Sequence, residues 1–218
     1  MAKTILSKNQ QLVLTYLSVE KNITDIFCLS GGTALAEYYL QHRLSEDLDF
    51  FSEEEVNSQA IFTFYKKIKK DIKLQKIDFQ QSFNRNLFFL YFKNDIIKTE
   101  FTYYPFPPIA KGKKINNLRI DSLLDIAANK LFTIYQKPRS RDFIDLYLII
   151  KKEKLSINDL VKKAKIKFDW HIDYLQLGSQ FIKVLEVKDY PRMIIKLDNK
   201  IWQDFFINEA KLLNKNIF

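Results

Sequence analysis

The stretch GGTALAEYYLQHRLSEDLDFF, from Gly31 to Phe51, decides the fold. The residues before it, from Asp25 to Leu29, are predicted to form a short strand that the two adjacent glycines end. A helix is expected from about Thr33 to His42, and a second, buried strand from Asp47 to Phe51. The pattern is therefore a unit of strand, glycine turn, helix and strand.

Two acidic residues of this stretch, Asp47 and Asp49, flank Leu48. Because side chains alternate along a strand, both carboxylates are expected on one face, while Leu48 and Phe50 point into the core. Neighbouring carboxylates repel each other unless a cation lies between them, and Mg²⁺ prefers carboxylate, phosphate and water oxygens. The spacing indicates a Mg²⁺ site, and two exposed strand aspartates are the structural alternative.

The glycine turn offers a place for a phosphate group. The backbone of Gly31 and Gly32 can approach a phosphate closely, and the helix that starts near Thr33 presents free N–H groups. Arg43 and Ser45 lie between this helix and the two aspartates, so they can donate charge-assisted hydrogen bonds to the same ligand. A simple tight connection and an ordinary surface arginine are the structural alternatives.

Further helices and strands are predicted on both sides of this unit. Ser7 can cap a helix that runs to about Glu20, and another helix covers about Ser58 to Lys70. Three more strands are predicted near Ile77, from Leu87 to Lys93 and from Ile96 to Tyr104. The first half of the chain is therefore expected to be mixed helix and sheet.

A cluster of prolines at positions 105, 107 and 108 breaks this pattern and marks the expected domain boundary. Residues 1–112 are expected to form the mixed core, and residues 113–218 a helical domain. Helices of this domain are predicted from Asp121 or Ser122 to about Gln136 and from about Ser140 to Lys151, with several more in the remainder.

An inward-facing lysine is predicted on the first of these helices. Lys130 lies at the edge of the apolar arc centred on Ala127. On the next helix Asp142 and Asp145 share a face with apolar residues, so two acids also face inward. The three residues form either an ion pair that joins two helices or a part of the functional site.

The composition and the charge limit the classes of protein to which the chain can belong. A formal net charge of +9 favours phosphate-rich partners, while the abundant lysines are also typical of a solvated surface. No apolar run approaches the roughly 20 residues of a membrane helix, and no signal-like segment is recognised. A cytoplasmic protein without a membrane partner is therefore expected, and the single cysteine, Cys28, excludes an internal disulfide.

Two segments resemble a known family. The stretch from Gly31 to Phe51 resembles the first motif of the AbiEii/AbiGii nucleotidyltransferase toxins, a branch of the polymerase beta superfamily. The stretch NKLFTIYQKPRSRDFIDLYLI, from Asn129 to Ile149, is similar to their second signature, in which a helical lysine precedes Arg-Asp-x-x-Asp. The resemblance, over about residues 25 to 150, implies an α+β fold with a polymerase beta-like nucleotidyltransferase core. The helical domain that follows would complete the active-site cleft.

The resemblance also implies roles for individual residues. Asp47 and Asp49 would hold two Mg²⁺ ions together with a third carboxylate, for which Glu100 is the choice and Asp78 the rival. Lys130 and Asp142 would assist catalysis. The triphosphate of the substrate NTP would be bound by Gly31, Gly32, Thr33, Arg43, Ser45 and Lys130.

The implied reaction is the metal-dependent transfer of NMP from an NTP to a hydroxyl of a tRNA or protein acceptor. The resemblance further implies the toxin of a bacterial toxin–antitoxin or abortive-infection pair, with a cognate antitoxin as a partner. Two alternatives remain. One is a catalytically weak nucleotide- or partner-binding module of the same fold, and the other is a metal-dependent phosphohydrolase with water as the acceptor.

Overall fold

The computed structural model describes residues 4–215. The chain forms two compact units. The first contains the chain up to Pro107 together with Lys111–Ser122, and the second contains Pro108–Ala110 and the chain from Leu123 onward. The boundary expected after residue 112 therefore differs from the structural division, because the strands within Lys111–Ser122 join the sheet of the first unit.

The first unit is built on a mixed sheet. In the described part of the chain its strands are β1 (Cys28–Ser30), β2 (Leu48–Ser52), β3 (Lys76–Ser82), β4 (Arg85–Tyr91), β5 (Ile96–Tyr103), β6 (Lys113–Ile115) and β7 (Leu118–Ile120). They lie in the order β3-β4-β5-β2-β1-β7-β6. β2 runs parallel to β5 and antiparallel to β1, and Leu48 and Phe50 are fully buried. The prediction of a buried central strand is thereby confirmed.

The hairpin of β6 and β7 is absent from the sequence-based prediction. Each strand has only three residues, which is too short for a recognisable alternating pattern. β7 is instead held by parallel pairing with β1, in which Cys28 faces Arg119 and Leu29 faces Ile120. Its formation therefore depends on a strand that is distant in the sequence.

Three helices of the first unit follow the predicted pattern with small shifts, whereas the short helix Lys21–Thr24 is absent from the prediction. The described helices of this unit are α1 (Lys8–Leu17), α2 (Lys21–Thr24), α3 (Gly31–Leu35) and α4 (Ser58–Ile68). Ser7 caps α1 as predicted, because its hydroxyl accepts a hydrogen bond from the Gln10 backbone at 3.1 Å and its own N–H donates to the Gln10 side chain at 2.8 Å. α3 continues into a π-helical turn at Ala36–Leu40 and ends at Gln41, which has a φ of 51°.

One face of the sheet packs against α4 and forms the core of this unit. Phe50 of β2 stacks on Phe101 of β5 with ring centroids 4.8 Å apart, and Tyr65 of α4 lies 5.5 Å from Phe88 of β4. The Tyr65 hydroxyl is 2.8 Å from the hydroxyl of Thr99. Because side chains alternate along each strand, the residues next to these face the opposite side of the sheet.

The second unit consists mainly of helices, as the sequence predicts. The helices are α5 (Leu123–Gln136), α6 (Ser140–Glu153), α7 (Ile157–Phe168), α8 (Tyr174–Ile182) and α9 (Asn199–Lys215). Phe143, Trp202 and Phe206 are fully buried in their core. Within residues 4–215, no helix has both the length and the apolar character needed to cross a membrane.

A buried aspartate ties the short segment Pro108–Ala110 to the second unit. The backbone N–H groups of Ile109 and Ala110 donate to the Asp125 carboxylate at 2.7 and 3.1 Å. Lys167 lies 2.6 Å from the same carboxylate, and the Asp125 side chain is fully buried. The ion pair and the two N–H donors satisfy a charge that would otherwise be costly to bury.

Candidate active site

A row of carboxylates crosses two neighbouring strands of the first unit. In the parallel pairing of β2 with β5, Asp49 faces Glu100. Asp47 precedes β2 by one residue, and its carboxylate is bridged to β5 by Lys98, which lies 3.0 Å from Asp47 Oδ2. Neighbouring strands lie about 4.8 Å apart, so these three acids occupy one small region of the sheet. We call Asp47, Asp49 and Glu100 the carboxylate row.

Asp78, the rival for the third carboxylate, lies elsewhere. It belongs to β3, the edge strand that β4 separates from β5. Its carboxylate pairs with Lys76 at 2.7 Å, and about a third of its side chain is exposed. Glu100 is therefore the acid that the fold places beside Asp49.

Two basic side chains accompany the carboxylate row. Arg85 of β4 donates two hydrogen bonds to Glu100, from Nε at 2.5 Å and from Nη2 at 2.7 Å. Lys98 lies 3.6 Å from the second oxygen of Glu100, and the Thr102 hydroxyl donates to the first oxygen at 3.1 Å. Sequence reasoning missed Arg85, whose position depends on the register of β4 against β5.

These contacts set the charge state of Glu100. Burial by itself would raise the pKa of Glu100. The hydrogen bonds from Arg85 and the positive charges of Arg85 and Lys98 lower this pKa by more than burial raises it. The pKa of Glu100 therefore lies below its ordinary value. The same pairing raises the pKa of Arg85, to which the negative charges of Asp49 and Asp47 also contribute. Glu100 is thus an ionised acid held in a fixed orientation.

Neighbouring side chains lie so close to Gly31 and Gly32 that neither position has room for a Cβ atom. An ideal Cβ on Gly31 would lie 2.5 Å from Asp49 Oδ2, and the φ of Gly31 is 70°. A Cβ on Gly32 would collide with the Arg43 guanidinium and lie 3.0 Å from the Ser45 hydroxyl. The structure therefore brings together four of the predicted phosphate-binding residues, next to Asp49.

Thr33 and Arg43 are both buried, and their side chains donate hydrogen bonds to backbone carbonyl groups. Thr33 is fully buried, and its hydroxyl donates to the backbone carbonyl of Asp47. Its side chain thus positions Asp47, and only its backbone remains for a phosphate. Arg43 is 3% exposed and donates to the carbonyl of Leu44 at 2.9 Å, so it is not an ordinary surface arginine.

Lys130 belongs to a buried ion-pair cluster in the second unit. Its ammonium lies 2.7 Å from Asp142 and 2.8 Å from Asp145, as the inward-facing positions on α5 and α6 predict. Arg139 adds a second cation 3.0 Å from Asp142. The side chains of Lys130, Asp142 and Asp145 are 10%, 1% and 0% exposed, so the cluster links the two helices where water is nearly excluded.

The carboxylate row has the ligand chemistry of a Mg²⁺ site, with Lys98 in competition. As the side chains stand, no group of three or more His, Cys, Asp and Glu residues in the described part of the chain is placed to hold a metal ion. The Lys98 ammonium is instead the cation between Asp47 and Glu100, at 3.0 and 3.6 Å. Carboxylate oxygens are the ligands that Mg²⁺ prefers, so the donor chemistry of the row suits a divalent cation, although its present arrangement is not that of a metal site.

Comparison with known proteins assigns this chain to a family. The model of the family described as nucleotidyl transferase AbiEii toxin, Type IV toxin–antitoxin system, matches residues 16–211. An uncharacterized protein of Aquifex aeolicus (strain VF5) is 33% identical over 165 residues, which cover 75% of this chain and 76% of that protein.

Two solved structures from Helicobacter pylori share the fold. A presumed nucleotidyltransferase superposes with a TM-score of 0.63 at 23% identity and covers 97% of each chain. JHP933 superposes with a TM-score of 0.62 at 24% identity, over 97% of this chain and 94% of that one. The expected α+β nucleotidyltransferase fold is confirmed. On the family match, this chain belongs to the AbiEii nucleotidyl transferase toxin family and is a nucleotidyltransferase.

Proposed function

We propose that this enzyme transfers NMP from a nucleoside triphosphate to a hydroxyl of a tRNA or protein acceptor, with Mg²⁺ held by Asp47, Asp49 and Glu100. The observation that carries the proposal is the register of β2 and β5, which sets Asp49 beside Glu100, together with the space that Gly31 leaves for the Asp49 carboxylate. When bound, two Mg²⁺ ions supply positive charge to the attacking hydroxyl and to the leaving pyrophosphate.

The glycine turn and its neighbours form the proposed triphosphate site. Gly31 and Gly32 let Asp49, Arg43 and Ser45 lie close against the turn, and a phosphate group would bind beside these side chains and the N–H of Thr33. Arg43 and Ser45 lie against Gly32, so a guanidinium and a hydroxyl meet at the same place. A guanidinium and a hydroxyl can share the negative charge of a phosphate group through charge-assisted hydrogen bonds.

We propose that Lys130 and Asp142 of the second unit also take part in catalysis. Asp142 and Asp145 hold the Lys130 ammonium in place at 2.7 and 2.8 Å. An ammonium has three N–H donors, so two carboxylate partners leave one donor for a phosphate oxygen. Lys130 would thereby stabilise the negative charge that develops on the leaving pyrophosphate.

The proposed reaction forms one bond and breaks another at the α-phosphorus. The acceptor oxygen bonds to this phosphorus and releases its proton to solvent, while the bond from the α-phosphorus to the oxygen that joins it to the β-phosphorus breaks and pyrophosphate leaves. The family description and the formal net charge of +9 support the biological part of the proposal. The enzyme would act as a cytoplasmic toxin that a separate antitoxin restrains.

A labelling assay tests this function. The protein is incubated with each labelled NTP, Mg²⁺, and either total tRNA or cell lysate, and label in macromolecules is measured. We expect the wild type to transfer label and Asp49→Asn to lose at least about 100-fold of the activity, equivalent to roughly 3 kcal/mol of transition-state stabilisation. Asp78→Asn, which changes an acid outside the carboxylate row, is the matched control and is expected to retain activity.

Two results would contradict the proposal. Release of free NMP without label in any macromolecule would indicate a phosphohydrolase. Binding of nucleotide without turnover of any NTP would indicate a binding module that retains the fold.

A further inference from the structure

Lys98 occupies an unusual place for a basic side chain in a proposed metal site. Its ammonium lies 3.0 Å from Asp47 and 3.6 Å from Glu100, so it bridges two members of the carboxylate row. Its side chain is 24% exposed, which leaves a route toward solvent. The Lys98 ammonium, which carries one positive charge, therefore lies between the oxygens that a divalent cation would need as ligands.

The electrostatics of the row explain why a cation is needed there. The three ionised acids carry three negative charges, and their mutual repulsion would destabilise the fold if no positive charge lay nearby. Lys98 and Arg85 offset two of those charges. A divalent cation that joined this arrangement would meet the repulsion of both basic groups, so its binding is opposed until one of them moves away.

Lys98 is the group better suited to move. Arg85 holds Glu100 with two hydrogen bonds of 2.5 and 2.7 Å, and the planar guanidinium matches the carboxylate geometry. Lys98 makes one hydrogen bond of 3.0 Å to Asp47, and its distance of 3.6 Å to Glu100 is beyond hydrogen-bond range. A lysine is also a point charge on a flexible four-carbon chain, so its ammonium can swing away while Arg85 stays.

We propose that Lys98 is a positioning residue that competes with the divalent cation for Asp47 and Glu100 and is displaced when the cation binds. In the metal-free protein its ammonium lies between Asp47 and Glu100 and holds these two side chains in place. On displacement its ammonium becomes available to the phosphates that arrive with the metal. This inference rests on the proposed metal-dependent function, and it makes cation binding weak until a nucleotide supplies the compensating negative charge.

Mn²⁺ binding to the nucleotide-free protein tests the competition directly. Free Mn²⁺ is measured by electron paramagnetic resonance during titration of the wild type, Lys98→Met and Lys76→Met. Lys76→Met is the matched control, because Lys76 pairs with Asp78 on β3, outside the carboxylate row. If Lys98 blocks the site about nine-tenths of the time, Lys98→Met binds Mn²⁺ about tenfold more tightly and Lys76→Met binds like the wild type. Equal or weaker binding by Lys98→Met overturns the proposal.

Chemical labelling of lysines provides a second measurement on the unaltered protein. An amine-acetylating reagent is applied with and without Mn²⁺, and mass spectrometry follows Lys98, with Lys76 as the internal reference. A displaced ammonium is expected to react faster when Mn²⁺ is present, while the rate at Lys76 stays constant. An unchanged rate at Lys98 at saturating Mn²⁺ overturns the proposal.

An Asp49→Asn titration separates the failure of this inference from the failure of the proposed function. If Mn²⁺ binds the wild type, is lost in Asp49→Asn and is unaffected by Lys98→Met, then the metal site stands and only the role of Lys98 is wrong. If neither the wild type nor Lys98→Met binds Mn²⁺, the metal-dependent function and the role of Lys98 are both wrong.

Discussion

Gly31 is the residue at which the backbone conformation and the chemistry of the site depend on each other. Its φ of 70° lies in the left-handed region, and its missing Cβ leaves space for Asp49 Oδ2. A side chain here would strain the backbone and also displace a carboxylate of the proposed metal site. The two effects are separable, because strain lowers stability and displacement lowers activity.

We predict that Gly31→Ala impairs transfer more than it impairs folding. The strain of an alanine at positive φ is expected to cost about 1 kcal/mol of unfolding free energy, whereas the shift of Asp49 is expected to reduce the transfer rate at least about tenfold. Denaturant unfolding and the labelling assay measure the two effects.

Gly112→Ala offers a comparison, because a Cβ there would collide with the backbone carbonyl of Ile120 and not with the Asp49 carboxylate. It is expected to lower stability while the folded fraction keeps its activity. Full activity of Gly31→Ala would show that the close approach to Asp49 does not matter for the reaction.

At the scale of single elements, the pairing of α5 with α6 depends on a buried ion-pair cluster. Asp142 and Asp145 have almost no contact with solvent, and removal of Lys130 would take away the cation that they share, although Arg139 still lies 3.0 Å from Asp142. Loss of one partner from a buried ion-pair cluster costs far more than the intact cluster contributes. The cluster is thus structural whether or not Lys130 also contacts the nucleotide.

We predict that Lys130→Met lowers the unfolding free energy by roughly 3 to 5 kcal/mol, measured by urea denaturation. Lys200→Met is the matched control, since Lys200 pairs with Asp204 at 2.6 Å on the exposed surface of α9. Its stability is expected to equal that of the wild type, because exposed pairs contribute little. Unchanged stability of Lys130→Met together with lost transfer would assign Lys130 to catalysis alone.

At the scale of the whole molecule, the family description predicts an effect on cell growth. Expression of the wild type in bacteria is expected to slow division, and Asp47→Asn is expected to relieve the effect because it removes a proposed metal ligand. Asp78→Asn, at the same expression level, is expected to remain as harmful as the wild type. Growth curves with matched protein levels measure the difference, and equal harm from all three proteins would point to overproduction of a basic protein.

Local patterns in the sequence determined much of the fold. The cap at Ser7, the alternation that buries Leu48 and Phe50, and the inward position of Lys130 on its helix each depend on residues within a few positions of one another. Side-chain direction in a strand or helix follows from the period of that element alone. These features could therefore be predicted without knowledge of the partner elements.

Only the tertiary structure decided how distant segments align. The choice of Glu100 over Asp78, the presence of Arg85 at the carboxylate row, and the strand β7 beside β1 all depend on strand register. Register is a relation between segments far apart in the chain, and a shift by one residue would turn every side chain to the other face. The sequence by itself thus determined the elements and the acidic pair, while the packing of the sheet determined which charges surround them.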